Sequence, residues 1–162
     1  MEHYNGDEKR ALTAKANTYL QPFFDWFGDW TDPEATDVSK AVDDNGEPKV
    51  LWHGTYDNFS EFDYTKPSKY GKHKVHSING YFFTDLKNKA EKYGNIQMPV
   101  FLNMRNPGNA SVYDKGVVDN TEDENKVMSN SSYDSAILVR YDKEGDNHGF
   151  IPTKQWVVKD SN

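Results

Sequence analysis

The chain has 162 residues, of which 35% are hydrophobic and 14% aromatic, and it carries a formal net charge of −7. This length favours one domain with a sizeable core, and the ten Tyr, nine Phe and four Trp residues exclude a disordered chain. The acidic balance argues against phosphate-backbone binding as the main source of affinity, although it leaves open a nucleic acid as a chemically modified target.

The absence of Cys limits the possible chemistry, and the absence of a long apolar segment bears on where the protein acts. The sequence contains no Cys, which excludes disulfides, a catalytic thiol and a thiolate metal site. No apolar run approaches the roughly 18 residues that span a membrane, and residues 1–10 are too polar for a secretory signal. These features predict a protein that acts in the cytoplasm without membrane association.

The first predicted element is a helix over residues 8–27, where good helix formers place their apolar side chains on one stripe. Pro22 divides this helix into two pieces, and Gly28 ends the second. The end of the helix is too aromatic for a solvated surface and is predicted to pack on the domain that follows, with a partner surface as the alternative. These aromatic residues are Phe23, Phe24, Trp26, Phe27 and Trp30.

The rest of the chain alternates short apolar or aromatic segments with polar ones. A tight turn is predicted at Asn45-Gly46, and a helix over residues 85–93 has Thr84 or Asp85 as its predicted N-cap. Five or six short strands with few helices predict an α+β fold with a mostly antiparallel sheet. The clearest strands are residues 50–52, 80–84, 99–104, 135–141 and 155–158.

Two polar segments interrupt this pattern of strands. Residues 64–80 combine Lys and Gly without hydrophobic periodicity and are predicted to form a long loop. Residues 114–126 are polar and acidic, which predicts a solvated loop or a short helix.

The trio His53-Gly54-Thr55 directly follows the first predicted strand. Taken alone it is typical of a turn, because Gly supplies unusual backbone conformations and Thr is common at strand ends. A metal site at His73 and His76 is not favoured, since these residues lie in a lysine-rich loop with no adjacent third ligand. There is no nucleophile elbow and no phosphate-binding glycine loop, so the sequence indicates neither a serine hydrolase nor a glycine-rich phosphate-binding site. No metal is expected.

A series of motifs in a fixed order resembles one known family. The motifs are WFGDW, DDNGEPKVLWHGT, the Phe-x-x-Phe-Asp pattern at residues 59–63, GYFFTD, AEKYG and PVFLNMRNP. Together they resemble the ADP-ribosyltransferase-like domain of phage and mobile-element polyvalent proteins, which is similar to the His-Tyr-Glu type of diphtheria toxin and the poly(ADP-ribose) polymerases. The resemblance runs from about Phe23 to the C-terminus, and the order of the motifs makes it specific.

The resemblance implies a fold and a domain organisation. The fold would be an ADP-ribosyltransferase-like split antiparallel β-sheet with an N-terminal helical cap. Residues 1–31 would form the N-terminal helical region that packs on the core, and residues 32–162 would form the ADP-ribosyltransferase-like domain.

The resemblance also implies NAD as the co-substrate and assigns five residues to its binding. The backbone at Gly54 can approach the nicotinamide carboxamide closely because glycine has no side chain. His53, with Thr55 nearby, would hydrogen-bond a ribose hydroxyl. On the family pattern, Phe82 and Tyr93 supply the two aromatic rings that hold the nicotinamide between them, each stack adding roughly 1 kcal/mol beyond burial.

Gln155 falls at the position where the family has its catalytic glutamate, at the start of the last strand, so His53 and Gln155 are the predicted catalytic residues. A glutamine still hydrogen-bonds a ribose hydroxyl but lacks the negative charge that stabilises a developing cation, a loss of ~10²–10³ in rate. Three explanations stay open. Gln155 is an engineered substitution, a natural attenuation helped by another acid or by the substrate, or the mark of a catalytically inert module that binds NAD, ADP-ribose or a protein.

The implied function is transfer of ADP-ribose from NAD to a macromolecular acceptor, a protein rather than a nucleic acid. The implied setting is a toxin-like phage or mobile-element effector that acts in the cytoplasm of a bacterial host. The polar loop over residues 64–79 is the candidate for closing over NAD or meeting the target.

Overall fold

A computed structural model describes residues 17–62, 80–113, 116–117, 124–143 and 150–159. Within these residues, seven strands form one sheet. The strands are β1 (Leu51–Thr55), β2 (Gly80–Thr84), β3 (Ile96–Val100), β4 (Pro107–Tyr113), β5 (Gly116–Val117), β6 (Ser135–Lys143) and β7 (Phe150–Lys159). Their order is β3-β1-β2-β7-β6-β4-β5, and neighbours are antiparallel except for the parallel pair β4 and β6. The predicted α+β fold with a mostly antiparallel sheet is confirmed.

Short helical elements accompany the sheet. The described part of the chain contains α1 (Gln21–Phe27), α2 (Lys87–Ala90), α3 (Glu124–Ser129) and two 3-10 turns, Asn17–Tyr19 and Glu91–Tyr93. Within that part, no helix is long and apolar enough to cross a membrane. Helices of this length are marginal in isolation, so tertiary packing holds them in place.

Both faces of the sheet are packed, because neighbouring residues of β2 enter different hydrophobic clusters. Phe83 belongs to a cluster that includes Trp156 and has Tyr81 at its edge. Phe82 packs against a second cluster, which contains Val157. Successive side chains of a strand point to opposite faces, so the two clusters lie on opposite sides of the sheet. We call the side with Phe83 the first face and the side with Phe82 the second face.

The helical piece predicted to end at Gly28 is confirmed as α1. Pro22 lies in its first turn, and the Gly28 N–H donates to the carbonyl of Phe24 at 2.8 Å. The preceding residues Asn17–Tyr19 form a 3-10 turn rather than α-helix, and residues 8–16 of the predicted helix lie outside the described residues.

The end of α1 contacts the loop that follows β3. Arg105 Nη2 and Asn103 Nδ2 both donate to the Trp26 carbonyl, at 2.6 and 2.7 Å. The Phe27 side chain is fully buried, whereas 44% of Trp26 is exposed. These bonds attach the aromatic end of α1 to the sheet domain. The domain boundary at residue 31 stays a prediction.

The structure corrects the bounds of two predicted strands. His53-Gly54-Thr55 is not a turn, because β1 continues through it and pairs these residues with Met98, Gln97 and Ile96 of β3. The strand predicted over 99–104 instead runs from Ile96 to Val100, and it ends where its partner β1 begins. Pro99 is tolerated within β3 because this strand lies at the edge of the sheet.

The C-terminal half of the sheet is larger than the sequence indicates. The predicted strand at 135–141 is confirmed and extends to Lys143, and the strand at 155–158 is confirmed as part of Phe150–Lys159. The strand Pro107–Tyr113 was not predicted, because it begins at a proline and a glycine. Proline is acceptable as the first residue of a strand.

The helix predicted over 85–93 is present in a shorter form. Its α-helical part is Lys87–Ala90 and continues as the 3-10 turn Glu91–Tyr93. The predicted N-cap at Thr84 or Asp85 is wrong, since Leu86 occupies that position. Thr84 Oγ1 instead accepts the Leu86 N–H at 3.2 Å, which turns the chain from β2 into the helix.

The turn at Asn45-Gly46 is confirmed. The Gly46 N–H donates to the Asp43 carbonyl at 3.0 Å, and the Asp43 N–H donates to the Glu47 carbonyl at 2.8 Å. Of the predicted loop at 64–80, only Gly80 lies within the described residues.

Candidate functional site

The predicted catalytic position lies in the middle of the sheet, on the second face. Gln155 of β7 is directly opposite Thr84 of β2, and Thr84 is directly opposite Trp52 of β1. Phe82, two residues before Thr84, is opposite Val157. Directly opposed residues of antiparallel strands project from the same face, so Trp52, Phe82, Thr84 and Gln155 share the second face.

The His53 ring lies on the first face, among aromatic side chains. Its centroid is 5.1 Å from that of Phe62 and 5.4 Å from that of Phe83, with Phe59 and Tyr81 each at 6.1 Å. The Phe-x-x-Phe motif therefore forms part of the wall around the histidine. In the sequence this motif was only part of the family signature, and its contact with His53 was not predicted.

One hydrogen bond sets the tautomer of His53. Nδ1 lies 2.9 Å from the Phe82 carbonyl oxygen, which can only accept, so Nδ1 carries the proton and the neutral ring offers its Nε2 lone pair as an acceptor. Burial lowers the pKa of His53, and the bond to Phe82 opposes this shift without cancelling it. The ring is therefore neutral at physiological pH.

The lowered pKa of His53 predicts a loss of stability in mild acid. The unfolded histidine titrates near pH ~6.5, so below that pH the unfolded chain binds a proton that the folded chain resists. The free energy of unfolding should fall as the pH drops from ~6.5 through the lower folded pKa. His53→Asn keeps a donor for the Phe82 carbonyl but does not titrate, so its melting temperature should fall less between pH 7.5 and 5.5. Identical pH profiles for the two chains would contradict this linkage.

Gly54 lies where the backbone of β1 meets the helical segment after β2. A Cβ atom at Gly54 would overlap the carbonyl group of Ala90 and lie 3.1 Å from Tyr93 Cβ. Glycine is required here by this close approach. The contact places Tyr93 next to Gly54, and 63% of the Tyr93 side chain is exposed.

Thr55 ends β1 and stabilises the following turn. Its Oγ1 accepts the N–H of Asp57 at 3.1 Å. This bond gives Thr55 a local structural role, and its predicted place near the ribose stays a prediction.

The neutral residue Gln155 is half-buried between two strands. Its backbone is opposite Thr84 on one side and Leu138 on the other. The carboxylate that follows Thr84 in sequence, Asp85, forms an ion pair with Lys49 at 3.5 Å. Lys49 Nζ also lies 5.3 Å from the ring centroid of Trp156, a residue of the first-face cluster, so this ion pair is on the side away from Gln155.

The predicted site residues fall into two groups. Phe82, Gln155 and Gly54 lie on the second face, with Tyr93 beside Gly54. The His53 ring lies on the first face, although its Nδ1 donates to the backbone carbonyl of Phe82. The structure therefore brings Gly54, Phe82, Tyr93 and Gln155 to one side of the sheet and places the His53 ring on the other.

A cation on the second face was not predicted from the sequence. Lys87 Nζ lies 5.5 Å from the ring centroid of Trp52. The signal in the sequence was a lysine two residues after GYFFTD, which is common in a solvated helix and carries little information alone.

Within the described residues, no group of three or more His, Cys, Asp or Glu side chains is arranged to hold a metal ion. His73 and His76 lie outside these residues.

Comparison with models of protein families matches residues 43–160 to the model described as ADP-ribosyltransferase in polyvalent proteins. Together with the mixed, mostly antiparallel sheet, this match defines an ADP-ribosyltransferase-like domain. Because the match covers most of its length, the chain belongs to the family of ADP-ribosyltransferases in polyvalent proteins. No curated protein and no solved structure matches the chain.

Proposed function

We propose that the chain is an NAD-dependent ADP-ribosyltransferase that modifies a macromolecular acceptor, with a protein as the target. The observation that carries this proposal is the arrangement on the second face. Phe82 and Gln155 share that face with Gly54, whose backbone packs closely beside the exposed ring of Tyr93. Flat aromatic rings on this face suit a nicotinamide, which needs stacking surfaces and amide hydrogen bonds.

In this proposal the nicotinamide is held between Phe82 and Tyr93. Its carboxamide would bond to backbone groups at Gly54. Phe82 packs against the second hydrophobic cluster, which contains its cross-strand neighbour Val157, so its ring is pre-organised for stacking.

His53 would bind a ribose hydroxyl of NAD, for which the molecule would have to extend from the second face around the end of β1 to the first face. Nδ1–H donates to the Phe82 carbonyl, so Nε2 is the ring nitrogen that can accept a hydrogen bond from that hydroxyl. Because the pKa of His53 is lowered by burial, the ring keeps this acceptor at neutral pH. Thr55 is two residues after His53 in β1 and therefore projects from the same face of the sheet.

The chemistry is cleavage of the bond between the nicotinamide nitrogen and the ribose anomeric carbon. The bonding electron pair moves to the nicotinamide nitrogen, and positive charge develops on the ribose, as in glycoside hydrolysis. Gln155 can hydrogen-bond the ribose as this occurs. Its amide dipole stabilises the developing charge less than a carboxylate would.

The test of the binding site is calorimetric titration with NAD. His53→Asn should preserve the bond to the Phe82 carbonyl but remove the acceptor at the Nε2 position. We expect a dissociation constant about 3–10-fold higher, the equivalent of one hydrogen bond, with little change in melting temperature. His53→Ala removes both interactions and should weaken binding further. Unchanged NAD binding in both variants would contradict the assignment.

A second candidate function is a binding module that holds NAD or ADP-ribose without turnover. The neutral side chain at position 155 favours it, since the usual carboxylate is missing. Release of nicotinamide discriminates between the two functions. A transferase releases nicotinamide in proportion to enzyme concentration, whereas a pure binding module releases none even at high concentration.

A further inference from the structure

We propose that Gln97 is a positioning residue for the transferase site, because its side chain holds the backbone that places the Tyr93 ring against the nicotinamide. This inference rests on the proposed function and adds a residue to that same site. Gln97 lies in β3, the strand at one edge of the sheet. It belongs to no motif in the sequence and was not predicted as a site residue.

The strand pairing places Gln97 on the second face beside Gly54. The two residues are directly opposite each other in the antiparallel pair of β1 and β3. Directly opposed residues of antiparallel strands project from the same face. Gln97 therefore shares this face with Phe82 and Gln155, where the nicotinamide and its ribose are proposed to bind.

One hydrogen bond joins the half-buried side chain of Gln97 to the turn that follows Tyr93. Gln97 Nε2 donates to the Gly94 carbonyl at 2.8 Å. Since a carbonyl oxygen only accepts, this contact also fixes which end of the side-chain amide faces Gly94. Gly94 directly follows Tyr93, so the bond holds the backbone next to the residue that carries the proposed stacking ring.

The end of β1 holds the same turn from its other side. A Cβ atom at Gly94 would overlap the backbone of Thr55, and one at Gly54 would overlap the Ala90 carbonyl. The segment from Ala90 to Gly94 is therefore packed directly on β1. This packing holds the segment against β1, and the bond from Gln97 attaches its last residue to β3.

The position of the Tyr93 ring depends on this backbone. Tyr93 ends a 3-10 turn of three residues, which has little stability of its own. Because 63% of Tyr93 is exposed, packing of its side chain contributes little to its position. A ring that is held in place before the ligand arrives binds it with a smaller loss of conformational entropy. Gln97 should therefore strengthen the binding of the nicotinamide end of NAD.

The experiment separates the nicotinamide end of NAD from the remainder. Nicotinamide and ADP-ribose are titrated separately into the unmodified chain and into Gln97→Leu, with binding followed by NMR. Leucine has a similar volume but cannot donate to the Gly94 carbonyl. We expect a dissociation constant for nicotinamide about 3–10-fold higher, the equivalent of one hydrogen bond, and an unchanged one for ADP-ribose. Equal weakening of both ligands, or unchanged nicotinamide binding, would overturn the inference.

Asn106→Leu is the matched control. Asn106 Nδ2 donates to the Ser132 carbonyl at 2.7 Å, so this variant also removes a bond from a side-chain amide to a backbone carbonyl. It should leave both dissociation constants unchanged, whatever its effect on the melting temperature. A loss of nicotinamide affinity equal to that of Gln97→Leu would overturn the role of Gln97. If the unmodified chain bound neither ligand, the proposed function itself would be contradicted.

Gln97→Glu tests the donated hydrogen bond through its pH dependence. At neutral pH the carboxylate cannot donate to the Gly94 carbonyl, so nicotinamide binding should be as weak as in Gln97→Leu. The protonated carboxyl can donate, and this bond raises the pKa of the introduced group above the usual ~4.3. The dissociation constant of the variant, divided by that of the unmodified chain at the same pH, should therefore fall between pH ~7.5 and pH ~5. A ratio that did not change with pH would rule out Gln97 as the donor that positions Tyr93.

Discussion

Gln155→Glu should increase the rate of nicotinamide release from NAD by ~10²–10³. Position 155 is directly opposite Thr84 in β2 and shares the second face with Phe82. A carboxylate there is fixed by strand pairing on both sides, so it needs no reorganisation when positive charge develops on the ribose. The measurement is the initial rate of nicotinamide release at saturating NAD.

A matched control separates this effect from a general change in charge. Gln21→Glu makes the same substitution at an exposed position of α1, where Gln21 Nε2 donates to Asp25. It should leave the rate of nicotinamide release unchanged. If Gln155→Glu and Gln21→Glu released nicotinamide at the same rate, position 155 would not be the catalytic position.

Gly54→Ala should both destabilise the fold and impair NAD binding. The added Cβ would overlap the Ala90 carbonyl, and this is backbone that cannot move without displacing α2 and the Tyr93 turn. Overpacking of this kind costs about 1–3 kcal/mol, which corresponds to a melting temperature roughly 3–10 °C lower. Displacement of Tyr93 should raise the dissociation constant for NAD by at least about tenfold.

Gly46→Ala provides the control for Gly54→Ala. Gly46 lies in the turn before β1 with a φ of +81°, and an added Cβ would have open space around it. Alanine is strained in this conformation, so a stability loss of about 1 kcal/mol is expected. NAD affinity should not change, because the turn is separate from the second face. Equal losses of NAD affinity in the two variants would show that lower stability alone, and not the contact at Gly54, explains the effect.

The organisation of the first face explains why the site could not be assembled from the sequence. The order of HGT, GYFFTD and QWVV indicates three strands but not how they pair. Pairing places the His53 ring beside Phe62 and Phe83, whereas Phe82 and Gln155 project from the other side. A shift of one residue in register would exchange these faces, and no local pattern specifies the register.

Lys87 illustrates the same limit for charged residues. In the sequence it is one lysine of a short helix that contains a second, Lys89. Its position on the second face depends on the packing of α2 against Trp52 and on the pairing of β1 with β2. This position depends on contacts between residues that are far apart in the sequence, so residue type and spacing do not reveal it.

Family and fold class were determined by the sequence itself, because they rest on ordered motifs and on alternation of strands with loops, which are local properties. Strand β2 and the helical end at Gly28 were also predicted correctly, since their signals lie within a few residues. The tertiary structure alone decided that β1 continues through His53-Gly54-Thr55, because that extension depends on hydrogen bonds to β3. It likewise decided the tautomer of His53, since the accepting carbonyl belongs to Phe82 in another strand.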